Sequence, residues 1–419
     1  MTTTAIDYDP IDPQCHERCF EIYPQLLEQA PVYRTAAGVF VVSRYDDVRH
    51  VLKTPSIFSS QAMQSDMMGM VTDPGEVDLA AFSALVEGMP VTLEEIATAR
   101  MFIATDPPRH TDMRRIVNRG FLPRRVQKWS DTVDALVASS MATLAENERF
   151  DLIDVLARPV PLAIIAEVCS IEPERMYDFK SWMDGYLEAA QGPDAGTPEA
   201  LARLLGYFKE LINYLVPRIV ERQENPQDDL ISDILRAEES EVFSTGDALF
   251  TLFILVGGGV STTQHLIGNT VLALLQNPDQ LELLLARPEL LSAAIEESVR
   301  YHSPVQILWR DAVEDAIVQG IHISKGSKVV ALVGAANRDP RQFPDPEKFN
   351  IERPNLVEHL GFGVANHYCI GSALGRLTSK AALTALLPLL PGLRPDLESL
   401  ELTPASFLWG HERMDLVPR

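Results

Sequence analysis

Cys369 stands in a setting that could give its thiol a chemical role. It lies in the segment FGVANHYCIG (residues 362–371), with Gly363 and Gly371 on either side and His367 two positions before it. A helical pattern begins at or just after the cysteine. The unpaired N–H groups and the dipole of a helix N-terminus favour a thiolate, the form that ligates metals or attacks electrophiles. The glycines would let the backbone approach a large, flat group.

The possible roles of this cysteine differ in what else they require. A free cysteine is commonly just a small buried hydrophobe. A nucleophilic cysteine needs a base, and His367 is near, but cysteine proteases bring their histidine from far along the chain. Zinc would need more ligands than one cysteine offers. A haem held by a single thiolate fits the loop better.

The longer segment HLGFGVANHYCIG resembles the haem-binding loop of the cytochrome P-450 family, whose usual form is FGxGxHxCxG. Ala365 replaces the second glycine, a small departure that tightens the loop slightly. The resemblance implies that Cys369 is the proximal thiolate ligand of haem b (iron protoporphyrin IX). The matching positions are Phe362, Gly363, His367, Cys369 and Gly371.

Further motifs follow in the family's order, from about Asp106 to Arg376. The segment EESVR resembles the ExxR motif, with Glu297 and Arg300 three apart on one helix face. Alone, such a pair would be an ordinary surface ion pair of little worth. The resemblance implies a network with Arg353 of FNIERP that holds the cysteine loop and takes no part in the chemistry.

Another set of residues matches positions that contact the haem in the family. DPPRHTDMRR resembles the segment that reaches the haem propionates, although by itself it would be an ordinary basic helix. Cationic and N–H donors are what a doubly anionic cofactor needs in a partly buried site. The resemblance assigns haem contacts to His110, Arg114, Arg310, His359, Phe362 and Gly363.

A long apolar helix contains GGVSTT, which resembles the family's A/G-G-x-D/E-T-T stretch on the oxygen side of the haem. Gly258 and Thr262 match, and Ser261 stands where the family has an acid. The plain alternative is a set of small residues packed in a core. Because glycine weakens a helix, we expect a local break that makes room for dioxygen. Ser261 cannot ionise, so either water or another acid relays protons to Thr262, or the enzyme uses peroxide.

The segment 109–128 reverses the acidic balance of the chain. It carries seven Lys or Arg and one acid, within a formal net charge of −23. Basic runs are usually solvated helix faces. In the family this region faces the electron donor, so an acidic ferredoxin would be steered to Arg115, Arg124, Arg125 and Lys128. The sequence shows no flavin motif, so NAD(P)H would act indirectly, through a separate ferredoxin reductase.

The substrate pocket is predicted from the segments VQILW and ASFLW. The pocket positions would be Val305, Ile307, Leu308 and Phe407, all apolar, which favours a small or medium hydrophobic substrate. Four methionines after FSS could line an adaptable pocket, or belong to a mobile surface loop: Met63, Met67, Met68 and Met70. The segment CHERC (15–19) resembles a metal cluster only superficially.

The composition of the chain indicates its size class, its compartment and the partners it disfavours. The 419 residues are 46% hydrophobic, enough for a large core, and the negative charge disfavours binding to nucleic acid or to an anionic membrane. Four cysteines are too few for a disulfide framework, and the polar start lacks a signal peptide, so we expect a cytoplasmic protein. Residues 248–275 are long enough to span a bilayer, but their polar groups favour a buried helix.

The pattern predicts a mainly α protein with small β-sheets, near 31–45 and 315–335, in a single cytochrome P-450 domain over residues 1–419. Helices are expected at 133–144, 201–221, 248–275, 280–287, 290–302 and 371–390. The expected activity is insertion of one atom of dioxygen into an organic substrate. The alternatives are a peroxide-driven or oxidative-coupling variant and a haem-binding sensor or carrier without turnover.

Overall fold

The computed structural model describes residues 6–61, 63, 94, 98–144, 149–191, 197–236 and 242–419. They belong to two compact units. The first unit comprises Met1–Ser59, Val126–Pro161 and Val260–Arg419, and the second comprises Ser60–Arg125 and Leu162–Gly259. Because compact units can belong to one domain, a single domain over 1–419 stays a prediction.

The fold is mainly helical, as predicted. Proline opens several helices at the position where its missing N–H costs nothing. The helices are α1 Pro13–Glu17, α2 Cys19–Gln29, α3 Tyr45–Lys53, α4 Arg109–Val117, α5 Pro123–Lys128, α6 Ser130–Leu144, α7 Pro159–Val168, α8 Met176–Gln191, α9 Pro198–Glu224, α10 Leu230–Ile234, α11 Thr245–Gln276, α12 Pro278–Ala286, α13 Leu291–Tyr301, α14 Val333–Ala336 and α15 Ser372–Leu386.

The named strands all lie in the first unit and form small sheets. The largest has the order β1-β2-β8-β5-β3, with β2 and β8 parallel and the other pairs antiparallel. A three-stranded sheet has the order β4-β12-β9, and β6-β7 and β10-β11 form hairpin-like pairs. The strands are β1 Val32–Arg34, β2 Phe40–Val42, β3 Phe58–Ser59, β4 Phe150–Asp151, β5 Ile307–Ala312, β6 Ala316–Val318, β7 Ile321–Ile323, β8 Lys328–Leu332, β9 Leu393–Pro395, β10 Glu401–Leu402, β11 His411–Arg413 and β12 Asp415–Pro418.

Successive side chains along the strands of the largest sheet belong to two different buried clusters, one on each face of the sheet. Val329 and Ala331 of β8 belong to the cluster with α3, while Val330 and Leu332 belong to the cluster with α2. Successive side chains of a strand point to opposite faces. The apolar run KVVAL therefore reads as a strand covered on both sides.

Helix α11 is continuous, so the predicted local break at GGVSTT is wrong. Its glycines have packing reasons instead. A Cβ at Gly257 would lie 2.4 Å from Met183 Cε, and a Cβ at Gly259 would lie 2.8 Å from Ile165 Cδ1. The helix is long and apolar enough to cross a membrane, but 61% of its most apolar window is buried within the protein.

The last long helix is shorter than predicted. The pattern favoured a helix over 371–390, but α15 ends at Leu386 and a 3-10 segment, Leu387–Gly392, follows. Pro388 and Pro391 lack the N–H groups that further α-helical turns need. The C-terminal strands β9 to β12 were not predicted.

Candidate functional site

The loop before α15 presents one thiol to its surroundings. Cys369 is exposed, whereas Cys15, Cys19 and Cys169 are buried. The Cys369 amide donates a 2.7 Å hydrogen bond to the Phe362 carbonyl. This bond closes the loop on itself, and the helix begins three residues beyond the cysteine.

Two residues of the loop have left-handed backbone conformations. Gly363 has φ +69° and Ala365 has φ +52°. A Cβ at position 363 would lie 2.9 Å from the His367 carbonyl oxygen. Position 363 therefore needs glycine for two reasons, the left-handed backbone torsion and this close contact. Ala365 pays the cost of a left-handed residue that has a side chain. The replacement of the second glycine by Ala365 therefore introduces backbone strain into the loop.

A buried carboxylate, Glu297, holds two arginines as the ExxR resemblance implied. Arg300 donates to both of its oxygens at 2.8 Å, and Arg353 Nε lies 3.3 Å from each. The Asn350 amide donates at 2.9 Å. Glu297 and Arg300 are fully buried and Arg353 is 5% exposed. Burial, followed by the charge of Arg300, lowers the pKa of Arg353.

The same arginines fix the irregular segment 337–355. Arg300 donates to the carbonyls of Asn337, Pro346 and Lys348 at 2.9, 3.0 and 3.2 Å. The Asn337 side chain in turn accepts a 2.7 Å bond from the Leu360 amide, two residues before Phe362. The long loop without regular structure is therefore a rigid connection between the ExxR helix and the cysteine loop.

A second network, which the sequence reasoning missed, surrounds Glu296. Arg376 donates to its two oxygens at 2.6 and 2.8 Å, and the His359 Nε2 atom lies 3.0 Å away. Burial opposes the charge, yet these hydrogen bonds lower the pKa of Glu296 to about 2. The Arg376 guanidinium lies 4.2 Å from the centre of the Phe362 ring. A cation over an aromatic ring stabilises that ring's position, so Glu296 acts on the loop through Arg376.

His359, predicted to contact a propionate, has both ring nitrogens engaged near the loop. Nε2 faces Glu296, and Nδ1 accepts a 3.3 Å bond from the Gly361 amide. Because Nδ1 accepts, Nε2 carries the proton. A propionate contact would require His359 to leave Glu296, so the role stays a prediction. Arg310, on β5, is 2% exposed and donates to the Trp309 carbonyl.

His110 and Arg114 lie one helical turn apart on α4, in the second unit. The His110 ring is 1% exposed and lies 6.3 Å from Phe102, with the two rings nearly parallel. Burial, reinforced by the charge of Arg114, lowers the pKa of His110 to about 4. His110 is therefore a neutral hydrogen-bond donor at neutral pH, and Arg114 brings the charge.

The oxygen-side residues occupy the middle of α11. Thr262 is half-buried, while Ser261 is 8% exposed and Thr263 is 8% exposed. A Cβ at Gly258 would meet no atom within 4 Å, in contrast to the tight positions at Gly257 and Gly259. Gly258 is itself exposed, so the space beside it is open.

The two predicted pocket segments lie side by side. Val305 forms an isolated β-bridge with Leu408, and the Gln306 amide donates to the Phe407 carbonyl at 2.8 Å. Ile307 is 3% exposed and belongs to the cluster with α2, which favours a structural role for it, and the partly buried Phe407 packs against the same cluster. Leu308 points to the opposite face of β5. Met63 is buried, and Met67, Met68 and Met70 lie outside the described residues.

One arginine of the basic segment 109–128 forms ion pairs within the protein. Arg125 is 19% exposed and lies 2.9 Å from Asp228 and 2.7 Å from Asp233. These ion pairs correct its assignment to partner docking. Arg115, Arg124 and Lys128 are exposed, and the last two lie four apart on α5.

The residues present suit a haem. A thiolate is the donor that haem iron accepts from a single cysteine. The described residues include no group of three or more His, Cys, Asp or Glu that could hold another metal. The exposed Cys369 thiol and the loop that cannot accept a Cβ at Gly363 match a flat cofactor with one protein thiolate.

Comparison with known proteins agrees with this geometry. The sequence model of the Cytochrome P450 family matches residues 87–389. Cytochrome P450 CYP107DY1 of Priestia megaterium is 32% identical over 396 residues, 91% of each chain. Cytochrome P450 monooxygenase PikC of Streptomyces venezuelae is 33% identical over 402 residues, 93% of this chain and 87% of that one.

A solved structure extends the likeness to the whole fold. P450BioI, in complex with an acyl carrier protein ligated to hexadec-9Z-enoic acid, superposes with a TM-score of 0.83 at 26% identity, covering 96% of this chain and 99% of that one. The chain belongs to the cytochrome P450 family, of the bacterial type. It is a haem-dependent monooxygenase, an oxidoreductase that works with redox partners and a substrate.

The loop geometry predicts opposite effects at its two left-handed positions. Ala365→Gly should stabilise the protein by about 0.5–1 kcal/mol, since it removes a strained side chain. Gly363→Ala should cost more than 1 kcal/mol, roughly, because strain and the contact with His367 add. Urea unfolding measures both. Gly326→Ala, at φ +85° with no atom within 4 Å of its Cβ, is the control for strain alone; an equal cost at 326 and 363 would contradict the loop contact.

Proposed function

We propose that this protein binds haem b through Cys369 and inserts one atom of dioxygen into a small or medium, mostly hydrophobic organic molecule. The observation that carries the proposal is the exposed Cys369 thiol in a loop held by the Glu297 and Glu296 networks. Haem bound through a thiolate supplies the activation of dioxygen. The rest of the chemistry falls to the side chains around it.

The proposed roles follow from charge and burial. Arg310 and Arg114 are cations suited to the propionates, and His110 is a neutral donor to them. His359 would join them after exchanging its bond to Glu296. Phe362 and Gly363 would contact the porphyrin at the thiolate loop. Thr262 would donate a hydrogen bond on the oxygen side of the haem, and Gly258 would leave space there.

The substrate proposal rests on the apolar character of Val305, Leu308 and Phe407. An acyl chain bound to a carrier protein, as in the complex of P450BioI, is compatible with such a lining. We therefore include fatty acids and carrier-tethered acyl chains in the candidate substrate class. All four cysteines are free, and thiols stay reduced in the cytosol, so we propose a cytoplasmic location.

A second candidate activity is peroxide-driven or coupling oxidation, which the replacement of the acid by Ser261 favours. The test is product formation by the purified holoenzyme, after Soret titration against terpenes, fatty acids, aromatic acids, steroids and cyclic dipeptides. With the compound of the largest high-spin shift, we expect turnover with dioxygen, NAD(P)H, ferredoxin and ferredoxin reductase to exceed peroxide-driven turnover at least tenfold. Turnover with peroxide alone would support the second candidate. Binding without either turnover would contradict both.

The proposed electron donor is an acidic ferredoxin that docks on Arg115, Arg124 and Lys128. Reduction should slow steeply between about 50 and 300 mM salt, because the attraction is screened. Arg124→Glu should slow it about tenfold at low salt, measured by stopped-flow reduction under carbon monoxide. Lys325→Glu, the same charge change at an exposed residue of the β7–β8 turn, should leave the rate unchanged. Equal slowing by both variants would contradict a local docking site.

A further inference from the structure

The middle of α11 holds five consecutive polar residues, Ser261 to His265, inside an otherwise apolar helix. Gln264 and His265 are fully buried. Polar groups at such depth need partners, and those of Gln264 are known. Its Oε1 accepts from Arg158 Nε at 3.3 Å, and its Nε2 donates to Glu412 Oε2 at 3.1 Å. The buried stretch is thereby tied to a carboxylate outside the helix.

That carboxylate reaches the surface. The Glu412 side chain is 32% exposed, accepts from Arg158 Nη2 at 3.3 Å, and places Oε1 3.8 Å from His265 Nε2. This last separation is within ion-pair range. A Cβ at Gly410 would lie 2.3 Å from the His265 ring, so the bare glycine gives the imidazole its place. Glu412 therefore touches both solvent and the buried histidine.

His265 lies one helical turn beyond Ser261. Residues four apart on a helix are neighbours, with Cβ atoms about 5–6 Å apart. Long side chains on a helix lean towards its N-terminal end, so the imidazole leans towards the turn that carries Ser261 and Thr262. The groups therefore follow one another in the order Glu412, His265 and the helical turn that carries the two hydroxyl residues.

We propose that Glu412 and His265 supply the protons that the missing acid at position 261 would otherwise deliver to Thr262. The proposal rests on the proposed function and names the acid that replaces the family's carboxylate. Both residues act through Ser261 and Thr262, so they are positioning and relay residues, not groups that touch the substrate.

The proton balance follows from monooxygenation. Each turnover converts RH, dioxygen, two electrons and two protons into ROH and water. A proton from solvent is taken up by Glu412 and passes to His265 Nε2, and the imidazole releases its other N–H proton inwards. A hydroxyl accepts one proton and gives up its own, whereas the imidazole is left as its other tautomer and must tautomerise before it passes the second proton. With hydrogen peroxide as oxidant, both protons arrive with the peroxide and the relay is not needed.

The charged surroundings are compatible with this passage. Arg158 faces Glu412 and also pairs with Asp154, whose side chain is 62% exposed. The neighbouring His411 is buried, and burial lowers its pKa to about 4 despite the charge of Glu412, so it stays neutral. Glu412 and His265 are then the two proposed relay groups between Arg158 and Ser261.

A purely structural network would make the same hydrogen bonds, so the decisive variant preserves them. Glu412→Gln keeps one acceptor oxygen, which can serve Arg158 and Gln264 as Oε2 does now, and it cannot carry a proton. In the holoenzyme with the panel compound chosen above, we expect product per NAD(P)H to fall at least threefold, with a larger solvent isotope effect. Unfolding temperature, the ferrous–carbon monoxide spectrum and peroxide-driven turnover should be unchanged, and Glu412→Asp should restore coupling.

Two further variants separate the explanations. Asp154→Asn removes a carboxylate from the same Arg158 and should leave coupling unchanged. Ser261→Asp in the Glu412→Gln background should restore it, since the carboxylate then returns to the helix. Equal uncoupling by Asp154→Asn, or no uncoupling by Glu412→Gln, would overturn the relay. Absence of dioxygen-driven product in the unmodified protein would instead refute the proposed function.

A readout independent of turnover is the histidine spectrum. In the ferrous–carbon monoxide holoenzyme with ¹³C-labelled histidine, the His265 signal, assigned by its loss in His265→Gln, should shift with pH, because the relay passes a proton through this ring. Glu412→Gln should displace that titration by at least half a pH unit, and Asp154→Asn should displace it less. A His265 signal that ignores Glu412→Gln would overturn the proposal.

Discussion

The buried carboxylate of Glu297 is the interaction on which the thiolate loop depends. It neutralises two arginines in a region that water does not reach. Removing one partner of a buried ion pair costs about 3–5 kcal/mol, because the remaining charge is left uncompensated. Here the carboxylate has two such partners, so its loss would release both arginines. Those arginines donate hydrogen bonds to carbonyls of segment 337–355. The Asn337 side chain of that segment accepts a hydrogen bond from the Leu360 amide, just before the cysteine loop.

This arrangement explains how an exposed thiol can have a defined position. Cys369 has little packing of its own, so its place is set by backbone bonds and by networks on either side. The Glu296 network adds a second support through Arg376 and the Phe362 ring. Functional groups in mobile loops lose geometric accuracy, and these two anionic anchors supply the rigidity that the loop sequence lacks.

The sequence predicted what short motifs encode. Cys369, Glu297, Arg300 and Arg353 were found because their spacing is local or matches a family pattern, and the long helices were found from their apolar periodicity. Pairs between distant residues were beyond such reasoning. Glu296 and Arg376 are 80 residues apart, and Gln264 and Glu412 are 148 apart. Arg125 was assigned to docking because Asp228 and Asp233 could not be placed beside it. The helix break was expected because the cost of glycine is visible in sequence, whereas the side chains of Met183 and Ile165 that fill the space are not.

The account as a whole stands on Cys369 as the thiolate ligand of the haem iron. The most direct measurement is the absorption spectrum of the reduced protein under carbon monoxide, for the unmodified chain and for Cys369→Ala. The account predicts the red-shifted Soret band of thiolate ligation in the first and its absence in the second. A Soret band without the red shift in the unmodified protein, or a red-shifted band that survives Cys369→Ala, would contradict it.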